Sequence, residues 1–473
     1  MQDLITARVP GRPLPGPFYV SQQAFDLDLD AIFARHWIFV ASEPEIPAPG
    51  DYLTVDIGRS SVIIVRGGDG TARAFHNVCR HRGARLLTER SGSVRGSIVC
   101  GYHRWTYGTD GRLRHAESQP AAFDKGCFGL KPVPLRSLDG LLFICLAPEP
   151  PGDFGKLAST VAPYLAVHDL RRTKVAAQLD LVEHGNWKLV MENNRECYHC
   201  DGHPELVCSL FQFFGYAETD VTPRLRPAHQ RYQAAAAALL QTSAAHGIPV
   251  DTVEESDTRT TAFRVGRIPL DHAGESFSMD GSLLCRKLLG AVPSSRLGHL
   301  SLHMQPNSWF HFLSDHAVTF AVLPAAPDRT LLRTTWLVHA DAVEGEDYDV
   351  DALTKVWRAT NEQDAVLVAR AQRGVADPAY EPGPYAPNEG QVEAFVNWYI
   401  GRLRSHAKAR PDRHRTPEPG RLLPWRGDGR GRPRHTWASL VSEGGATPAA
   451  DPGERDRPVR AAGGGQGVLA HGG

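Results

Sequence analysis

Cys79-Arg80-His81 and Cys100-Gly101-Tyr102-His103 are two short hooks, each offering one thiolate and one imidazole, with 18 residues between them. Four such ligands in two tight loops can bind one metal centre. Zinc would accept two Cys and two His, but its finger spacing places Cys pairs first and His pairs later, whereas each hook here mixes the types. One Cys and one His per hook suits a [2Fe–2S] cluster in which two His ligate one iron and two Cys the other. Replacing thiolates by neutral imidazoles removes negative charge and raises the potential, so the centre can accept electrons from a flavin or a plant-type ferredoxin.

A second group lies in segment 186–205. If a helix beginning there continues, Glu192, Glu196, His199 and His203 fall at i, i+4, i+7 and i+11 on one face. Two carboxylates and two imidazoles on one stripe need a cation to join them, and a divalent metal fits. Cys197 and Cys200 have no second Cys pair at zinc spacing and read as packing residues. Far along the chain, Asp364 sits in the 4-3 stripe of Leu353, Trp357, Thr360, Asp364, Leu367 and Ala371. A buried carboxylate loses hydration unless paired or metal-bound, which makes Asp364 the candidate third ligand. Two His and one carboxylate form the facial triad of non-haem Fe(II) oxygenases, with positions open for O₂. A helix seam ending near a solvated edge is the alternative for Asp364.

The elements that must position these residues follow from periodicity. Pro10, Pro13, Pro15 and Pro17 suggest an extended arm over residues 1–20; Ser21 then caps a helix with Phe25, Leu29, Ile32 and Phe33 on one side. From Asp51 the period becomes two, with strands at 52–57 and 61–65 and Gly-rich turns. We expect residues 1–37 to belong with the catalytic part and a small all-β domain at 38–150. A mixed helix and antiparallel-sheet domain follows at 151–407, with strands at 317–323 and 331–338 and helices at 350–373 and 389–403. The last 66 residues, 408–473, hold 13 Gly and 8 Pro and read as a disordered tail.

Composition narrows the function. In 473 residues, 52 Lys and Arg stand against 53 Asp and Glu, so no global field draws the protein to nucleic acid or an anionic membrane. No apolar run reaches the length of a transmembrane helix and the first residues lack a signal-peptide core, so a cytoplasmic enzyme with a small partner is expected. Twenty-one His beside 8 Cys point to metal chemistry rather than a disulfide framework.

The stretches FHNVCRHRGARL (75–86), CGYHRWTY (100–107), NWKLVMENNRECYHC (186–200), HPEL (203–206), WLVHADAVEGEDYDV (336–350), TNEQDAVL (360–367) and YEPGPY (380–385) resemble the α subunits of Rieske non-haem iron oxygenases, closest to the glycine betaine monooxygenase branch. The resemblance covers Phe18 to Leu403. It implies an α+β fold: a small all-β Rieske [2Fe–2S] domain plus a helix-grip catalytic domain, an antiparallel sheet with helices. It places Cys79, His81, Cys100 and His103 on the cluster, His199, His203 and Asp364 on a mononuclear Fe(II), and Glu196 as a carboxylate bridging the two centres. It also implies a homotrimer and a flavin and iron–sulfur reductase that delivers electrons from NAD(P)H. The family places four residues between its iron histidines and this chain three, so the iron is expected to shift relative to Glu196. The expected reaction is O₂-dependent N-demethylation of a quaternary ammonium compound, glycine betaine to dimethylglycine with formaldehyde release. Stachydrine, carnitine, choline or an aromatic ring are alternative substrates, and an electron relay with an inactive second site is the rival class. A permanent cation needs aromatic faces, and its carboxylate an Arg or Lys; Trp309, Phe310, Phe312, Phe211, Phe213, Phe214 and Tyr216 are the candidate faces.

Overall fold

The computed structural model describes residues 2–211 and 221–409. The N-terminal segment departs from the extended arm expected of it. Short helices α1 (Gln2–Thr6) and α2 (Pro17–Val20) flank it, and Leu14, Phe18 and Tyr19 are buried. Proline at the first helical position of α2 loses no hydrogen bond, so the prolines bend the chain without keeping it out of the core. Ser21 caps α3 (Gln22–Asp28) by accepting from the Ala24 N–H, and a π-helical turn, Leu29–Phe33, carries the chain onward.

Three small antiparallel sheets follow. β1 (Ile38–Ser42) pairs with β11 (Leu141–Ile144), itself paired with β10 (Leu135–Leu138). A five-stranded sheet has the order β5 (Ser91–Ser93), β2 (Asp51–Ile57), β3 (Ser60–Arg66), β4 (Ala72–His76), β9 (Pro132–Val133). The third joins β6 (Ser97–Val99), β7 (Thr106–Gly108) and β8 (Leu113–His115). A separate apolar cluster, including Tyr52, Ile63, Phe75, Trp105 and Tyr107, lies beneath Cys79 and Cys100.

After α4 (Phe154–Leu165) comes β12 (Thr173–Glu183), the edge of a seven-stranded antiparallel sheet. Its order is β12, β18 (Arg329–His339), β17 (His316–Ala326), β16 (Ser308–Phe312), β15 (His299–Met304), β14 (Phe263–Ile268), β13 (Val253–Glu255). The remaining helices are α5 (Trp187–Asn193), α6 (Arg226–Ala245), α7 (Val350–Val375) and α8 (Gly390–Ala409). This α+β arrangement, a small all-β part beside a helix-covered antiparallel sheet, is the one expected. One apolar core runs through both parts, from Leu53 and Ile64 to Trp187, Val322 and Trp398.

Helix α7 packs on α5 and β12. The turn between those two passes so close beneath it that a Cβ on Gly185 would lie 2.3 Å from Val368 Cγ1, so only glycine lets α7 sit this deep. The expected stripe holds through Leu353, Trp357 and Thr360, then rotates: Val368 and Gln372 are buried and Ala371 is exposed. No helix among the described residues is long and apolar enough to cross a membrane. Helix α8 continues through Ala409, and the rest of the tail read as disordered lies outside the described residues, as do Phe213, Phe214 and Tyr216.

Candidate active site

The two hooks have the same backbone. Cys79 N–H donates to Ala84 O and Cys100 N–H to Trp105 O, each at 2.8 Å, while Gly83 N–H and Arg104 N–H return to the two cysteine carbonyls at 3.0 Å. The fourth residue after each Cys takes a left-handed conformation, Gly83 at φ 78° and Arg104 at φ 55°. The result is two matched loops with buried, unpaired thiols and outward imidazoles, whose rings lie 4.5 Å apart. Trp105 stacks on His81 at 4.9 Å, and Tyr107 Oη lies 3.3 Å from Cys79 Sγ. Two thiols at the bottom and two imidazoles at the rim fit a cluster with mixed ligation.

The second group forms in another way than the helical stripe expected. Helix α5 ends at Asn193, and a 3₁₀ turn, Cys200–Gly202, lies between His199 and His203. Glu192 therefore leaves the group: it is half-buried on the helix, accepts from Tyr19 Oη at 3.0 Å, and is pushed up to about 8, first of all by loss of water around it. Cys197 and Cys200, read as packing residues, are joined in a disulfide, because the turn brings their Cα atoms to 4.9 Å.

The same turn brings His199 and His203 to Asp364. Their Nε2 atoms lie 3.3 and 2.9 Å from Asp364 Oδ1, and the three ligand atoms fall within 4.8 Å of one another. His199 Nδ1–H donates to Glu196 Oε1 at 2.6 Å, which orients the ring, and Tyr198 N–H holds the other carboxylate oxygen. Burial alone would lower the His199 pKa, but Asp364 and Glu196 outweigh it and hold it up at about 9. Burial would likewise raise Asp364, yet the two imidazoles hold it below the usual carboxylate range. Two imidazole nitrogens and a carboxylate oxygen converging on one point suit a divalent iron, whose charge would take the place of the proton shared there. Glu183, buried behind Asp364, is pushed up to about 8 by burial and by that charge, so it adds no second anion.

A cavity of about 420 Å³ opens beside these residues. Its sheet wall is made by alternation: His299, Ser301 and His303 of β15 and His311 of β16 face it, while Leu300, Leu302, Phe310 and Phe312 face the opposite core. Burial, first of all, keeps His299, pushed down to about 3, and His303 and His311 neutral. Trp357 stacks on His311 at 4.5 Å, and Phe277 closes edge-on against Trp357 at 5.4 Å. Among the described residues the aromatic faces are thus Trp357 and Phe277. Trp309, Phe310, Phe312 and Phe211 are buried but do not line the cavity. The signal was available in HLSLHM (299–304), where polar residues alternate with apolar ones in a buried strand; Phe277 lies in an irregular segment that no period marks.

Residues 36–134 match the Rieske [2Fe–2S] domain family and residues 170–405 the ring hydroxylating alpha subunit (catalytic domain) family. The chain is 44% identical over 410 residues to the glycine betaine monooxygenase oxygenase subunit of Chromohalobacter salexigens, covering 86% of this chain and 89% of that one. It is 42% identical over 405 residues to the Pseudomonas aeruginosa PAO1 protein of the same name, covering 85% and 91%. Among solved structures, the quaternary ammonium Rieske monooxygenase CntA in its apo form superposes with a TM-score of 0.61 at 21% identity, covering 85% of this chain and 98% of that one. The chain belongs to the α subunits of Rieske non-haem iron oxygenases. It is therefore an oxidoreductase with a Rieske [2Fe–2S] cluster and a mononuclear iron.

Proposed function

We propose that this chain is the oxygenase component that removes an N-methyl group from a quaternary ammonium compound, glycine betaine first among them. The carrying observation is the cavity: neutral imidazoles and the faces of Trp357 and Phe277 adjoin the His199, His203 and Asp364 group, a setting for a permanent cation. Glycine betaine, O₂, NAD(P)H and a proton give dimethylglycine, formaldehyde, water and NAD(P)⁺. The cluster supplies single electrons and the iron activates O₂.

The protein's own residues do the rest. Cys79, His81, Cys100 and His103 hold the cluster, and His199, His203 and Asp364 hold the iron. Glu196 fixes the His199 ring and bridges toward the cluster of the next subunit in a homotrimer. Tyr102, 57% exposed beside one hook, supports such an interface. A flavin and iron–sulfur reductase in the cytoplasm provides the electrons, and the chain divides at 38–150 and 151–407. Carnitine is the second substrate to test: the Escherichia coli carnitine monooxygenase oxygenase subunit is 38% identical over 198 residues, though this covers 40% of this chain and 52% of that one.

The test is NAD(P)H-dependent formaldehyde release by the holoenzyme with a competent reductase, offered glycine betaine, stachydrine, carnitine and choline. Turnover of glycine betaine with three irons per chain is expected. No formaldehyde from any of the four would sink the proposal. In Asp364→Asn the count should fall from three irons to two while the cluster's visible spectrum is kept.

A further inference from the structure

Arg195 is a buried cation without a counter-anion. It is 2% exposed and lines the cavity, and among the described residues no carboxylate pairs with it. Its Nη1 donates to Asn194 Oδ1 at 2.7 Å and its Nη2 to Gln305 Oε1 at 2.8 Å, both neutral acceptors. Nη2 also lies 3.4 Å from Ser308 O and 3.5 Å from Met304 O, and the buried Nε has no partner. Burying an unpaired ion costs several kcal/mol in a folded protein, so a site that keeps one is built for a charge that arrives.

The other arginines nearby do not share this position. Arg264 also lines the cavity, but its Nε is paired with Glu254 Oε2 at 3.0 Å. Arg267 is buried and lacks an ion pair, yet Arg264, Gly266 and Ile268 are the residues of β14 that face the cavity, and Arg267 points to the other side of the sheet. On the cavity wall His303 lies near Arg195 and Gln391; its buried Nδ1 has no hydrogen-bond partner within reach, and its Nε2 lies 3.4 Å from Ser301 Oγ. A serine hydroxyl donating to Nε2 leaves the proton on Nδ1, which makes it a free donor.

We infer that Arg195, with His303 beside it on the cavity wall, is the binding site for the carboxylate of a zwitterionic substrate, so that the enzyme selects betaines over simple quaternary cations. The inference rests on the N-demethylation proposed above. A carboxylate satisfies the guanidinium and the imidazole N–H together, while the ammonium end lies against Trp357 and Phe277. A cation lacking the carboxylate leaves Arg195 unpaired and adds a like charge to the same cavity.

The experiment compares glycine betaine with its neutral-headed amide, and with choline, in the reductase-coupled formaldehyde assay. In the unaltered holoenzyme the KM for the amide should exceed that for betaine by roughly 10- to 100-fold, the range of a charge-assisted hydrogen bond. Arg195→Gln should raise the KM for betaine by a similar factor, leave kcat far less changed, and collapse the discrimination between the two compounds. Arg195→Lys should restore part of it. An unaltered enzyme that takes betaine and its amide with equal KM overturns the carboxylate site, and so does an Arg195→Gln enzyme that keeps the full preference. Should Arg195→Gln fail to fold, the comparison on the unaltered enzyme decides alone. If the unaltered enzyme demethylates none of the compounds, the proposed function falls and this site with it, a result separable from intact turnover without discrimination.

Discussion

The turn that carries Glu196 and His199 hangs from α5, and α5 is fastened by a buried ion pair. Lys188 Nζ lies 2.5 Å from Asp28 Oδ2, and both side chains are fully buried. Trp187 Nε1 and Tyr399 Oη also donate to Asp28, at 2.9 and 2.6 Å. At an effective dielectric constant of about 20, charges at this separation attract by about 7 kcal/mol. Burial nevertheless lowers the Lys188 pKa against the pull of Asp28, so for the ammonium the loss of water exceeds what its partner returns. The pair therefore adds little net stability, while either charge alone is costly. Asp28→Asn and Lys188→Met should each destabilise by about 3–5 kcal/mol, and the double variant should cost clearly less than their sum. Urea unfolding of the holoenzyme, read by far-UV circular dichroism and by the cluster's absorbance, measures all four corners of the cycle. Because α5 leads directly into the turn with the proposed iron ligands His199 and His203, each single variant should also lose mononuclear iron before it loses the cluster. Single costs below about 1 kcal/mol, or costs that simply add, would refute the reasoning.

Three other expectations can be checked separately. In fully iron-loaded Glu196→Gln, single-turnover oxidation of the cluster should slow by about 10- to 100-fold, because a neutral amide holds the His199 ring less firmly; a rate equal to that of the unaltered enzyme refutes the bridging role. Trp357→Leu should raise the KM for glycine betaine by about 2- to 30-fold, from a cation–π contribution of ~0.5–2 kcal/mol, and an unchanged KM removes Trp357 from the cation site. His36 is lowered to about 4 by burial, although its Nδ1 lies 2.9 Å from Ile32 O. A histidine lowered from 6.5 stays neutral in the fold and gains a proton on unfolding, so its contribution is present above pH 6.5 and is lost as pH falls toward 4. His36→Gln should reduce the acid slope of unfolding free energy by about 1 kcal/mol per pH unit between 6 and 4.5, and parallel slopes contradict it.

What the sequence disclosed depended on how local the cause was. The hooks were legible because each closes within five residues, by backbone bonds that repeat from Cys79 to Cys100. The strands at 317–323 and 331–338 were read from alternation, and the fold covers both of their faces, so that 317–323 and 332–338 are buried without a break. The cavity wall was not assigned, because its faces were sought by residue type among the aromatics; the side chains that turn toward the cavity from β15 and β16 are His299, Ser301, His303 and His311. Glu192 was placed with the metal because the helix was extended past Asn193, where the chain instead turns away toward His199. The shortened His199–His203 interval follows from the same geometry. On a continuous helix the interval would fix the angle between the rings, and a missing residue would displace the metal. Here the 3₁₀ turn at Cys200–Gly202, closed by Cys197–Cys200, sets the directions of both rings. Two ring nitrogens then reach one oxygen of Asp364 on a different helix, held deep by the absence of a side chain at Gly185. Convergence is thus a property of the turn and of the α7 packing together, and a spacing rule drawn from one segment cannot decide it.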